Sequence, residues 1–142
     1  MKVVIDTNVL MAGLLKDSLV RIILTFSDAE FYLPEQGIEE VKKYSDELCL
    51  KGDYTKEELE ELLKSTLENI RVVHIDEIRN KISEAEEIMK NIDIKDSVFI
   101  ATALAINADG IWSFDNDFKK QDKFKIFESY DFIKAKDIEE EK

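Results

Sequence analysis

Apolar positions along the chain follow two rhythms. Short continuous runs of β-branched and aromatic residues occur at residues 2–5 (KVVI), 31–33 (FYL), 71–75 (RVVHI), 110–113 (GIWS) and 125–127 (KIF). Runs of this kind predict strands buried on both faces. Between them the apolar residues take helical spacing: Val9, Leu10, Leu14 and Leu15; Leu19, Ile22, Ile23 and Phe26; Ile38, Val41 and Leu48; Leu59, Leu62, Leu63, Leu67 and Ile70; Ile78, Ile82, Ala85, Ile88 and Met89. Ser18 is placed to cap the second of these helices, and Pro34 suits the first turn of the third. Gly52-Asp53 reads as a turn, and Thr55 to Glu58 as a capping box opening the fourth. A short helix is predicted over residues 130–135.

The stretch 97–107 is the most apolar helix, with Val98, Phe99, Ile100, Ala101, Ala103, Leu104, Ala105 and Ile106 leaving almost no polar face. Such a helix is buried on most sides. Strands alternating with helices predict an α/β fold, a three-layer α/β/α sandwich around a parallel sheet of four to five strands. Residues 1–135 are expected to form one domain, with 136–142 a charged tail.

Composition narrows the class. The single Cys49 rules out an internal disulfide and fits a reducing compartment. No apolar run reaches membrane-spanning length, and the first ten residues carry no signal-peptide pattern. A cytoplasmic protein with no membrane partner is expected. The net charge of −12 speaks against a general nucleic-acid coat, which needs Lys and Arg for phosphates. It leaves room for an acidic site whose field inverts on binding cations.

In a parallel sheet, strand C-termini and helix N-termini share one rim. Asp6 ends the first strand, Asp96 opens the apolar helix and Asp115 follows the fourth strand, while Glu40 stands in the helix after the second strand. Each alone is explained as a cap, a turn residue or a surface acid. Together they are not: two carboxylates about 5 Å apart repel by roughly 3 kcal/mol at an effective dielectric near 20. Four on one rim approach the whole stability of a domain, about 5–15 kcal/mol. Such a cluster persists only if protons or cations neutralise it, and a hard cation, Mg²⁺ or Mn²⁺, is the natural neutraliser of an all-oxygen site. One His74 and one Cys49, far apart in the chain, make no zinc site.

These motifs, in this order, resemble the PIN domain: VVIDTNVL, then EEVKKY, then DIKDSVFIATALAINAD, then GIWSFDNDF. The resemblance spans nearly the whole chain. It implies that Asp6, Glu40, Asp96 and Asp115 are catalytic, metal-binding carboxylates. Glu39 is an alternative to Glu40, although Val41 directly after Glu40 fits the family better. Asn8 and Ser113 would orient the carboxylates from behind, and Asp93 and Asp117 are supporting candidates. The implied activity is a Mg²⁺- or Mn²⁺-dependent ribonuclease that hydrolyses RNA by metal-activated water. Members of the family also suggest an antitoxin protein as partner and a homodimer. Residues 55–69 offer an interface, but a stripe packed on the sheet is the simpler reading.

Some residues carry less. His74 reads as structural, Cys49 as packed in a helix and Trp112 as core. The basic loop 119–125, with Lys119, Lys120 and Lys123, is an RNA-binding candidate and equally a solvated loop. A haloacid-dehalogenase-type phosphatase needs an acid where Asn8 stands, and Thr7 breaks the acidic pair of a receiver domain. The remaining rival is an inactive PIN-fold module binding RNA or protein.

Overall fold

The computed structural model describes residues 1–133. Five strands form one sheet: β1 (Lys2–Ile5), β2 (Glu30–Pro34), β3 (Ile70–Val73), β4 (Gly110–Trp112) and β5 (Lys125–Phe127). Their spatial order is β3-β2-β1-β4-β5, and every pairing is parallel. The predicted α/β sandwich with a parallel sheet is what forms.

The first crossover holds α1 (Thr7–Gly13) and α2 (Leu19–Phe26). The second holds α3 (Glu35–Lys43), α4 (Ser45–Gly52) and α5 (Lys56–Leu67). These five pack together over one face, as α1 on α3, α2 on α5 and α4 on α5. The third crossover holds α6 (Ile75–Ile78), α7 (Ile82–Met89) and α8 (Ser97–Ile106). It runs back past β2 and β1 to β4, which for right-handed connections places its helices on the opposite face. There α8 packs on β1 and β2 with α7 and α6 beside it.

α8 shows which force decides. Val98, Ile100, Thr102 and Ile106 are weak helix formers, each about 0.7 kcal/mol or less below alanine. Burying a side chain such as Phe99 or Ile100, both essentially inaccessible, contributes about 1.5–3 kcal/mol. Burial outweighs propensity, and Asn107 ends the helix in the left-handed region at φ 54°, where Asn is tolerated. Gly110 lets the last two strands close up: a Cβ there would meet the Lys125 carbonyl oxygen at 2.5 Å.

Several boundaries differ from expectation. Pro34 closes β2 and caps α3 instead of entering its first turn. The helix predicted through Leu48 breaks at Tyr44, whose backbone (φ −100°, ψ 14°) leaves helical geometry. Val41 and Leu48 are seven apart and fit a straight helix or a broken one, so periodicity did not reveal the break. Ile75 leaves the third strand because Glu35 and Glu77 cap the turn that follows. Glu35 accepts from the Ile75 N–H at 2.7 Å and Glu77 from the His74 N–H at 2.9 Å. A 3₁₀ turn at Arg79–Lys81 separates α6 from α7. The helix expected at 130–135 is a 3₁₀ turn, Ser129–Phe132, and its last two positions, like the tail 136–142, lie outside the described residues.

Two caps match the expectation. Ser18 Oγ accepts from the Arg21 N–H at 3.1 Å, and Thr55 and Glu58 exchange bonds of 3.1 and 2.9 Å. The α5 stripe faces inward: Leu59 is buried, and Leu62, Leu63 and Leu67 pack against the core. Exposed apolar surface lies instead on α2, at Leu19, Ile22 and Phe26.

Candidate active site

β1 and β4 are neighbours whose outgoing connections cover opposite faces. Their C-terminal edge is therefore the switch point at which α/β sheets bind ligands. Asp6 follows β1 there and is buried. Ser113 follows β4, is also buried, and its Oγ donates to Asp6 Oδ2 at 2.8 Å. The same Oγ accepts from the Asp115 N–H at 2.9 Å. Asp115 Oδ1 in turn accepts from the Asp117 N–H at 2.9 Å, starting the 3₁₀ turn Asn116–Lys120. One serine thus ties the end of β1 to the loop after β4.

Desolvation raises the Asp6 carboxyl above its ordinary range. The Ser113 hydroxyl and the Thr7 backbone N–H oppose this, and the charges of Asp115 and Glu40 push it further up. Half-buried Asp96 rises to about 7, first through desolvation and then through Asp93, Asp6, Asp115 and Glu40. The four acids singled out from sequence therefore share one electrostatic neighbourhood, with Asp93 beside Asp96. Glu40 belongs to it, whereas Glu39 points to solvent and perturbs neither acid.

Other candidates divide. Asp93 also caps the turn before α8, accepting from the Lys95 N–H at 3.1 Å. Asp117 pairs with Lys120 Nζ at 2.9 Å. Asn8 is exposed and makes no hydrogen bond to the acids among the described residues. It lines, with Met11, Leu15, Glu40, Tyr44 and Leu48, a groove of about 480 Å³ leading away from the rim. In the basic loop, Lys119 pairs with Glu128 at 3.0 Å and Lys120 with Asp117, while Lys123 makes no ion pair among the described residues. A buried Gln121 closes this loop through bonds to Phe118 and Phe124.

Sequence reasoning missed Thr7 and Ser97. Both are buried, and their hydroxyl oxygens lack hydrogen-bond partners among the described residues. Each directly follows an acid with a raised pKa, and that adjacency was the available signal. A buried polar atom left unpaired costs about 1–3 kcal/mol, so both hydroxyls have bonding capacity to offer beside the acids. Trp112 is core, inaccessible to solvent and packed against Phe31 and Phe132. His74 bonds Glu35 through Nδ1 at 3.1 Å, well apart from the acids in its contacts.

The donor chemistry fits a hard cation: carboxylates and hydroxyls, with neither imidazole nor thiolate. As the side chains stand, however, no three acidic, histidine or cysteine side chains among the described residues converge enough to hold one ion. Among the described residues the rim has oxygen donors without a closed coordination shell.

The fold is a five-stranded parallel sheet with acids following the C-terminal ends of β1 and β4, and sequence comparison defines the class. The family model for the PIN domain matches residues 4–123, and the chain belongs to this nuclease family. None of the curated proteins matches it in sequence. Among solved structures, it is similar in fold to VapBC2 from Rickettsia felis bound to a DNA fragment from their promoter. The TM-score is 0.67 at 13% identity, over 90% of this chain and 98% of that one. No helix among the described residues is long and apolar enough to cross a membrane.

Proposed function

We infer that the protein is a Mg²⁺- or Mn²⁺-dependent endoribonuclease acting in the cytoplasm. The observation that carries this reading is the placement of Asp6 and Asp115 at one sheet edge through Ser113, where burial first, and then the charges of neighbouring acids including Glu40, raise both Asp6 and Asp96 above the ordinary carboxylate range. Those four would hold the ion. When bound, it supplies a water of lowered pKa and neutralises charge developing on the phosphate. The protein's own residues set the stage. Ser113 fixes the Asp6 carboxylate and the Asp115 backbone together, and Asp93 holds the turn that presents Asp96. Thr7 and Ser97 offer free hydroxyl capacity to an ordered water.

A toxin paired with an antitoxin is the biological setting we favour within this reading. The likeness to VapBC2 supports it, as does the groove running from Glu40 past Met11 and Leu15. A basic side chain from such a partner would be drawn to the acidic rim. A homodimer is compatible, with α2 offering its exposed apolar face.

Labelled RNA incubated with Mn²⁺ tests the catalytic claim. Wild type should cut, while Asp6→Asn and Asp96→Asn should lose cleavage by about 100-fold or more, since losing even the outer partner of a metal ligand costs about 10–100-fold. If neither variant differs from wild type on any RNA, the claim is lost. The second reading, an inactive PIN-fold module that binds RNA or protein, is favoured by the lack of a converged acid trio among the described residues.

A further inference from the structure

Phe114 stands between Ser113 and Asp115 and is 50% exposed as a residue. Its chain neighbours are held firmly. Ser113 bonds both Asp6 and the Asp115 N–H, and Asp115 bonds the Asp117 N–H. The buried indole of Trp112 meets the Phe114 ring edge-on, with centroids 6.5 Å apart and planes at 88°. A perpendicular contact fixes the ring while leaving it open to a further flat partner. The geometry points to Phe114 as a stacking platform for an unpaired nucleobase of an RNA substrate, beside the phosphate that the acids handle. This rests on the nuclease reading above and adds to it a residue that grips the substrate, through an unpaired base beside the cut.

Three observations favour a base over an apolar peptide. Phe114 has a serine and an aspartate as chain neighbours, whereas exposed Phe26 shares its helix with exposed Leu19 and Ile22. Two of the three candidate lysines nearby are already paired, to Glu128 and Asp117. The net charge is −12, so phosphate contacts alone make a weak grip. Stacking supplies affinity without cationic side chains and tolerates any base, because every base has a π face. A base inside a duplex cannot reach the ring without leaving its own stack.

The test is a double-mutant cycle on full-length protein. Dissociation constants are measured by fluorescence anisotropy for single-stranded RNA oligonucleotides, intact or with one abasic nucleotide at successive positions, with Ca²⁺ present. Phe114→Ala should weaken binding of intact RNA about 5- to 100-fold, and Phe114→Trp should keep it. One abasic position should weaken wild type by a similar factor and weaken Phe114→Ala no further, since interacting groups are non-additive. The inference is overturned if every abasic position penalises both proteins alike. It is also overturned if Phe114→Leu restores binding as fully as Trp, which would make the ring a plain apolar contact suited to a protein partner. Mn²⁺ assays separate the two claims. RNA held through Phe114 but left uncut removes the nuclease reading and keeps the stack. RNA cut by Phe114→Ala with unchanged KM removes the stack and keeps the nuclease.

Discussion

Ser113 Oγ lies 2.8 Å from Asp6 Oδ2, joining two residues 107 positions apart at the edge where β1 and β4 run side by side. Both are buried, so the bond is shielded from water, and its acceptor is a carboxylate when Asp6 is ionised. Hydrogen bonds to charged groups contribute about 1.5–3 kcal/mol. Ser113→Ala should therefore lower stability by about 1–3 kcal/mol in urea unfolding. It should also free the Asp115 backbone, which the same oxygen holds. In an Asp6→Asn background the loss should shrink, because the amide is a weaker acceptor than a carboxylate. An equal loss in both backgrounds would show that the serine acts through packing alone.

Asp96 makes stability depend on pH in an unusual direction. Its carboxyl is held at about 7 in the folded protein, against 3.8 as its ordinary value. Between these values the unfolded chain has released the proton while the folded chain keeps it. Metal-free protein should lose stability as pH rises from about 4 to 7, since stability falls wherever the native state binds more protons. Asp96→Asn should flatten that slope, which urea midpoints measured in EDTA across this range would reveal. Mn²⁺ binding should strengthen over the same interval, because a carboxylate must lose its proton to ligate. A slope that survives Asp96→Asn would place the responsible group elsewhere.

Much of this architecture was legible because burial writes itself into the chain. Continuous runs such as KVVI and the almost wholly apolar α8 located the sheet and the helix behind the rim. Asp6, Asp96 and Asp115 then fell at predictable ends of elements. Glu40 could be told from Glu39 only loosely, since both lie on one helix turn and only packing decides which faces inward. The break at Tyr44 and the early end of β3 were hidden for a different reason. They depend on contacts distant in sequence, such as Glu35 reaching the Ile75 N–H 40 residues away. Phe114 escaped notice because exposure of an aromatic beside a strand end has no sequence signature.

The pairing of Glu35 with His74 is a local electrostatic device that can be checked by itself. Glu35 accepts the Ile75 N–H and contacts His74 Nδ1 at 3.1 Å, and this raises the His74 pKa above its ordinary value while lowering that of Glu35. The contribution from His74 is fully present below about 6.5 and is lost as pH rises through the raised folded value. An NMR titration of the imidazole should give a pKa above 6.5 in wild type. In Glu35→Gln it should return toward that value, with the α6 cap weakened. RNA cleavage should be unaffected by His74→Gln, because His74 takes no part in the shared field of the acids.

Lys123 separates an RNA-gripping loop from a plain solvated one. Lys119 and Lys120 are engaged with Glu128 and Asp117 at 3.0 and 2.9 Å, so reversing either charge also disrupts a protein contact and gives an ambiguous result. Lys123 is exposed and unpaired among the described residues, on a loop held in shape by Gln121. If the loop grips phosphate, Lys123→Ala should weaken binding of single-stranded RNA and reduce the slope of log K against log salt by about 0.7, the value for one phosphate contact on a single strand. Thermal stability should stay within about 0.5 kcal/mol of wild type, as for other surface substitutions. A salt slope identical to wild type would assign the loop to the solvated surface and leave substrate binding to the rim itself.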